Sequence, residues 1–199
     1  MRAVSLQVGN VVKERYKDVD IVNGYKARTT NLFGMYNTFL FSAAPLHSLF
    51  KEISTLWNEV KPDDDIYYLQ SWVNVYEETA SIGWHYHWTE SFNAWHGFYC
   101  VDVDVSKTTY ALSPKYYQES KAHDYLYNGQ PILEYNDEYE LIDVVGQDNF
   151  LIMGRSAGDQ HRNLPWKIKN RPRITIAFDI VPGRHIDNTE WENHWIPLV

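Results

Sequence analysis

Two histidines one residue apart, His85 and His87, and a third, His161, are the side chains of this sequence best suited to hold a metal ion. Residues i and i+2 of a β-strand point to the same face, so Trp84-His85-Tyr86-His87-Trp88 can send both imidazoles into one interior. The pair alone is weak, because eight histidines are present and two core histidines satisfied by backbone produce the same pattern. A third ligand from a distant strand turns a pair into a site, and His161 follows the apolar run from Phe150 to Met153 and a turn containing Gly158. Three neutral imidazoles suit Fe(II), Zn, Ni or Cu rather than Mg or Ca. Twelve residues further on, Arg173 opens the run Arg-Ile-Thr-Ile-Ala-Phe-Asp. An inward guanidinium is costly unless it grips an anion bidentately, whereas one at a strand end snorkels to solvent. A metal beside a buried arginine points to an anionic cosubstrate.

These groups need a scaffold that brings distant segments together. From Ser42 to Val60, Leu46, Leu49, Phe50, Ile53, Leu56, Trp57 and Val60 recur at three- and four-residue spacing, with Pro45 in the first turn. That spacing predicts one amphipathic helix, ended by Lys61-Pro62 and three aspartates. Strand-like segments with short polar breaks follow: Ile66 to Tyr76, Gly83 to Trp88, Gly97 to Val105, Thr108 to Leu112, Tyr139 to Val145, Phe150 to Met153 and Arg173 to Val181. Strands at this spacing without intervening helices predict a mainly β sandwich or jelly roll with one N-terminal supporting helix. The first forty residues, with β-rich pieces at Val11-Val12, Asp20 to Val22 and Leu32 to Leu40, read as an outer strand and loops. We expect a single domain: residues 1–62 packing on the barrel, a core at 66–182 with a long polar insertion at 113–137, and an aromatic tail at 183–199. The tail, with Trp191, His194 and Trp195, should fold back on the domain or meet a second subunit as a homodimer.

Composition narrows the class. Fifteen tyrosines, eight tryptophans and eight phenylalanines in 199 residues favour a sheet-rich fold and a ring-lined pocket. A net charge of −8 disfavours binding along duplex nucleic acid. The single cysteine, Cys100, cannot form an internal disulfide, and the start MRAVSLQVGN lacks the pattern of a signal peptide. No run approaches the roughly 20 apolar residues that span a bilayer. The expectation is a soluble, cytoplasmic protein without membrane contact. No Ser-His-Asp order, phosphate-binding loop or dinucleotide glycine fingerprint is present.

The arrangement resembles the Fe(II)- and 2-oxoglutarate-dependent oxygenases, whose double-stranded β-helix, a cupin-like jelly roll, carries an H-x-D/E pair, a distal His and a later Arg before a strand. Trp72-Val73-Asn74-Val75-Tyr76, eight residues and then His85-x-His87 resemble the N-x-Y and H-x-D layout of the alkylation-repair branch. Gly97-Phe98-Tyr99-Cys100-Val101 and the strand from Arg173 to Asp179 resemble a group common in bacteriophage and marine bacterial genomes, which implies a host cytoplasm. The likeness covers about Ile66 to Pro182. It implies Fe(II) on His85, His87 and His161, with Arg173, Asn74, Tyr76 and Tyr99 around 2-oxoglutarate. It further implies dioxygen as co-reactant and hydroxylation of a small-molecule or peptidyl substrate. Trp84, Trp88, Trp95 and Tyr99 are expected pocket walls.

One departure stands out: His87 occupies the place of the usual carboxylate. A three-histidine site, a site completed by Glu90, and a site without hydroxylase chemistry all remain open, the first being preferred. His96 is expected as an exposed turn residue or a donor orienting a ligand, with Asp159 a similar donor. Arg171 ranks behind Arg173 for the anion because Pro172 places it in the preceding turn. Cys100 reads as a small buried hydrophobe. Two alternatives compete. A cupin-type enzyme would use three histidines and Glu90, although its His-to-Glu gap is too short here. A metal-free jelly-roll module of a phage assembly would use the histidines only for packing.

Overall fold

Leu46, Leu49, Ile53 and Trp57 form the buried stripe of α2 (Ala44–Val60), with proline in its first turn as the spacing predicts. The structure is a computed structural model, and it describes residues 1–15, 32, 34–85, 87, 94–104, 106–112, 140–155, 160–186 and 194–198. A second helix, α1 (Arg2–Arg15), replaces the expected N-terminal strand, and Val11-Val12 lies within it. Its buried positions are Ser5, Val8, Gly9 and Val12, a helical stripe in which two of four residues carry no apolar side chain. That dilution hides the period. Leu32 to Leu40 is likewise no strand: Thr38–Leu40 is a 3-10 turn capped by Asn37, whose side chain accepts from the Phe39 amide. Asp20 to Val22 and the 113–137 insertion fall outside the described residues.

Among the described residues nine strands follow: β1 (Tyr67–Tyr76), β2 (Ile82–His85), β3 (Trp95–Asp102), β4 (Ser106–Leu112), β5 (Glu140–Gly146), β6 (Leu151–Arg155), β7 (Gln160–Asn163), β8 (Arg173–Pro182) and β9 (Ile196–Pro197). They build two antiparallel sheets, β6-β3-β8-β1-β9 and β2-β7-β4-β5. The first eight strands cross between sheets except from β4 to β5, which pair as neighbours, so the chain winds as a double-stranded β-helix. The fold class is therefore mainly β as the sequence indicates, with two α-helices among the described residues where one was expected. β7 was missed because all four of its residues, Gln160, His161, Arg162 and Asn163, are polar. The tail returns to the domain, pairing β9 with Tyr68 and Leu69 of β1.

Register divides the larger sheet into two faces. On one, Leu69, Val73, Val75, Ile174, Ile176, Phe178 and Ile180 join Val8, Val12, Leu46, Ile53 and Trp57 in the main core. Trp57 meets Tyr67 and Trp95 edge-on, with ring centroids 4.7 and 5.5 Å apart. Gly97 sits on this face because a Cβ there would come within 2.4 Å of the Phe178 ring and 2.5 Å of the Ile152 carbonyl. The other face carries Gln70, Trp72, Asn74 and Tyr76 of β1, Arg173, Thr175, Ala177 and Asp179 of β8, and His96, Phe98 and Cys100 of β3. This is the face turned toward the smaller sheet, and it holds the polar groups. Among the described residues no helix is long and apolar enough to cross a membrane.

Candidate metal centre

β2 and β7 pair so that His85 and His161 lie directly opposite each other. Their rings approach to 4.2 Å, and His87, at the bend after β2, brings its ring to 5.4 Å from His85 and 5.1 Å from His161. One ligand nitrogen from each of the three lies within 4.8 Å of the others. Three nitrogens bound to one metal at about 2.1 Å, at tetrahedral or adjacent octahedral positions, lie about 3.0–3.4 Å apart, so the widest separation here must close by more than about an ångström.

Hydrogen bonds set the tautomers. His85 Nδ1 donates to the Gly83 carbonyl at 2.9 Å, and His87 Nδ1 lies 2.6 Å from Asp179 Oδ1. In a neutral imidazole, a proton held on Nδ1 by such a bond leaves Nε2 as the nitrogen able to bind a metal. Desolvation, reinforced by His87, lowers His85 to about 3 even though part of its surface is open. Desolvation and the neighbouring imidazoles also hold buried His161 well below its ordinary value. Neutral nitrogen donors of this kind fit Fe(II), Zn(II) or a similar ion.

Three further residues complete the surroundings, of which the sequence analysis names only His96 in this connection, as an exposed turn residue or a donor orienting a ligand. His96 is buried, not an exposed turn residue, and its ring stacks 5.0 Å from His87 and 4.8 Å from His161. Tyr110 of β4, opposite His161, stacks on both His96 and His161. Trp72 stacks on His87 at 5.6 Å. Alternation was the available signal: Trp72 shares a face with Asn74 and Tyr76, and Asp179 stands six positions from Arg173, again on one face.

The opposite end of the same face belongs to Arg173. It is buried, pairs with Tyr76 across the β1–β8 ladder, and its guanidinium lies 4.9 Å from the Tyr76 ring centroid. Asn74 Nδ2 donates to Thr175 Oγ1 at 3.4 Å, and Asn163 Nδ2 to the Tyr76 hydroxyl at 3.4 Å. Tyr76, Ala80, Ile82 and Trp166 form a small apolar cluster at this end. Cys100 is fully buried, and desolvation pushes its thiol up to about 11 despite the opposing pull of Arg173.

Other expected contacts lie elsewhere. Tyr99 is on the opposite face of β3 and donates to Asn149 Oδ1 at 2.8 Å, which takes it away from the cosubstrate position and the pocket wall. Trp95 packs on Trp57 on that same outer face. Arg171 is occupied by Asp102, to which Nε and one terminal nitrogen donate at 2.8 and 2.6 Å, so it does not compete with Arg173. Glu90, Asp159 and Trp88 lie outside the described residues, as does the side chain of Trp84.

No protein-family model and no curated protein matches this chain. Solved structures do resemble it. The non-heme alpha ketoglutarate dependent epimerase SnoN from nogalamycin biosynthesis superposes with a TM-score of 0.59 at 11% identity, covering 100% of this chain and 88% of its own. AviO1 from Streptomyces viridochromogenes Tue57 gives 0.56 at 11% identity over 93% of this chain and 86% of its own. The non-heme alpha ketoglutarate dependent carbocyclase SnoK gives 0.55 at 11% identity over 91% and 75%. At these identities the likeness establishes the fold, a double-stranded β-helix, and the histidine cluster lies inside it.

Proposed function

We propose that this chain is an Fe(II)- and 2-oxoglutarate-dependent oxygenase acting on a small molecule or peptidyl side chain. The observation that carries the reading is one barrel interior in which a three-histidine cluster from β2, the bend after it and β7 meets the Asp179 end of the larger sheet, with the buried guanidinium of Arg173 at that sheet's other end. Bound iron would supply the dioxygen chemistry: 2-oxoglutarate, dioxygen and a C–H bond become succinate, carbon dioxide and a C–OH group. The chain's own residues do the rest. His85, His87 and His161 present neutral nitrogens from β2, the bend after it, and β7. Arg173 grips the far carboxylate of the dicarboxylate, with Thr175, Asn74 and Tyr76 along its flank. Arg173 and Asp179 stand six positions apart on β8, about 20 Å by strand rise, so the groups proposed to hold the anion and to back the metal ligand lie toward opposite ends of one strand. Trp72, Phe98 and Tyr110 exclude water around the site.

The structural neighbours named as alpha ketoglutarate dependent enzymes support this reading through their fold. A second reading, a cupin-type metal enzyme, is favoured by the ligand set, which among the described residues is all histidine. The two differ in their need for 2-oxoglutarate. Uncoupled turnover tests this: Fe(II)-loaded protein in air should convert 2-oxoglutarate slowly to succinate without added substrate. Stoichiometric metal without succinate formation or 2-oxoglutarate binding would favour the cupin reading. Purified protein that takes up no transition metal would favour a metal-free module.

A further inference from the structure

A site built from three neutral imidazoles lacks the negative charge that a carboxylate ligand gives a divalent cation. Asp179 stands directly behind one of those imidazoles. Its side chain is fully buried, and its Oδ1 lies 2.6 Å from His87 Nδ1. It is not a member of the group whose ligand atoms converge. Burying an ionised carboxylate costs several kcal/mol, and replacing a buried ion pair by apolar residues is often neutral or stabilising. Packing alone therefore gives little reason for an aspartate in a strand whose ten residues are all buried. A carboxylate hydrogen-bonded to the far nitrogen of a metal-binding imidazole fixes its tautomer and ring orientation and raises its basicity.

We propose that Asp179 is the positioning residue of this site, and that it supplies from behind His87 the negative charge that the metal-binding position itself lacks. The proposal rests on the reading of His85, His87 and His161 as metal ligands. The cross-strand geometry agrees, since Asp179 pairs with Gln70 on one side and His96 on the other, so a single row of the sheet faces the histidines. His87 lies beyond the end of β2, and its ring is stacked among Trp72, His96 and His161 while Asp179 fixes its Nδ1 edge.

The test uses Co(II) alone, whose absorption reports coordination, with intact protein and the nearly isosteric Asp179→Asn. Asparagine can still accept from Nδ1 but carries no charge. We expect the variant to fold and to bind Co(II) some 10- to 100-fold more weakly than wild type, with an altered Co(II) spectrum. Binding within twofold of wild type would overturn the proposal while leaving the metal site standing. Wild-type protein that binds no Co(II) would instead remove the metal reading itself. A measurement that needs no variant covers a failure to fold: ¹⁵N NMR of the metal-free wild type should show His87 as the Nδ1–H tautomer with a strongly downfield proton. An Nε2–H tautomer there would overturn the positioning role whatever the metal does.

Discussion

His161 on the smaller sheet and Arg173 on the larger divide the proposed chemistry between two parts of the barrel interior, and substitutions should separate them. We expect His161→Ala to abolish stoichiometric Fe(II) or Co(II) binding, and Arg173→Ala to keep the metal but weaken 2-oxoglutarate binding at least 10-fold; calorimetric titration of each ligand checks both. The reason is that loss of a bidentate charge-assisted pair costs more than about 1.4 kcal/mol, the equivalent of a factor of ten. Cys100 gives an independent check of the burial around Arg173. With its thiol raised to about 11 and no exposed surface, it should resist alkylation at pH 8 in the native protein and react in urea. The His-x-His spacing singles out His85 and His87, and positions after an apolar run and at the head of another single out His161 and Arg173; the structure brings the three histidines together, although His87 lies at the bend past β2 and not on the strand. Spacing does not reveal Asp179, and it leaves His96 between an exposed turn residue and a donor, because a polar residue in an apolar strand announces burial only when its partner on another strand is known.

Gly97 and Asn37 show how the elements hold this face in place. Gly97→Ala pushes a methyl group into Phe178 and the Ile152 backbone, and overpacking of this kind costs roughly 1–3 kcal/mol. Gly154→Ala, with nothing within 4 Å, should be neutral or slightly stabilising in the same urea titration. Asn37 is buried and bonds the Leu69 carbonyl at 2.9 Å, the His194 carbonyl at 2.7 Å and the Ser71 hydroxyl at 2.8 Å. It joins the N-terminal segment, β1 and the tail. Asn37→Ala should cost on the order of 2–3 kcal/mol and speed hydrogen exchange at the Leu198 amide, which bonds the Tyr67 carbonyl. α2 and most strands were legible because their apolar periods are strong. α1 and β7 were not: the buried stripe of α1 includes serine and glycine, and β7 is polar throughout. Asn37 shows no sequence signal beyond an ordinary cap.

The buried imidazoles make the stability of the whole molecule sensitive to acid. His85, His96 and His161 are all lowered in the folded protein, chiefly by desolvation. Below about pH 6.5 the unfolded chain takes up protons on these residues that the folded chain refuses, so unfolding gains protons and stability falls as pH falls. For His85 the loss extends down to about pH 3. We expect the urea midpoint of metal-free protein to decline from pH 7 to pH 5, with a shallower slope in His96→Asn. An equal slope in that variant would remove His96 from the explanation. Bound metal should raise the midpoint at pH 7 by mass action. The most direct measurement is anaerobic titration of Fe(II)-loaded protein with 2-oxoglutarate, followed in the visible region. We expect a weak metal-to-ligand charge-transfer band that saturates at one 2-oxoglutarate per chain and disappears in Arg173→Ala. Fe(II) bound in full with no such band at any 2-oxoglutarate concentration would contradict the assignment.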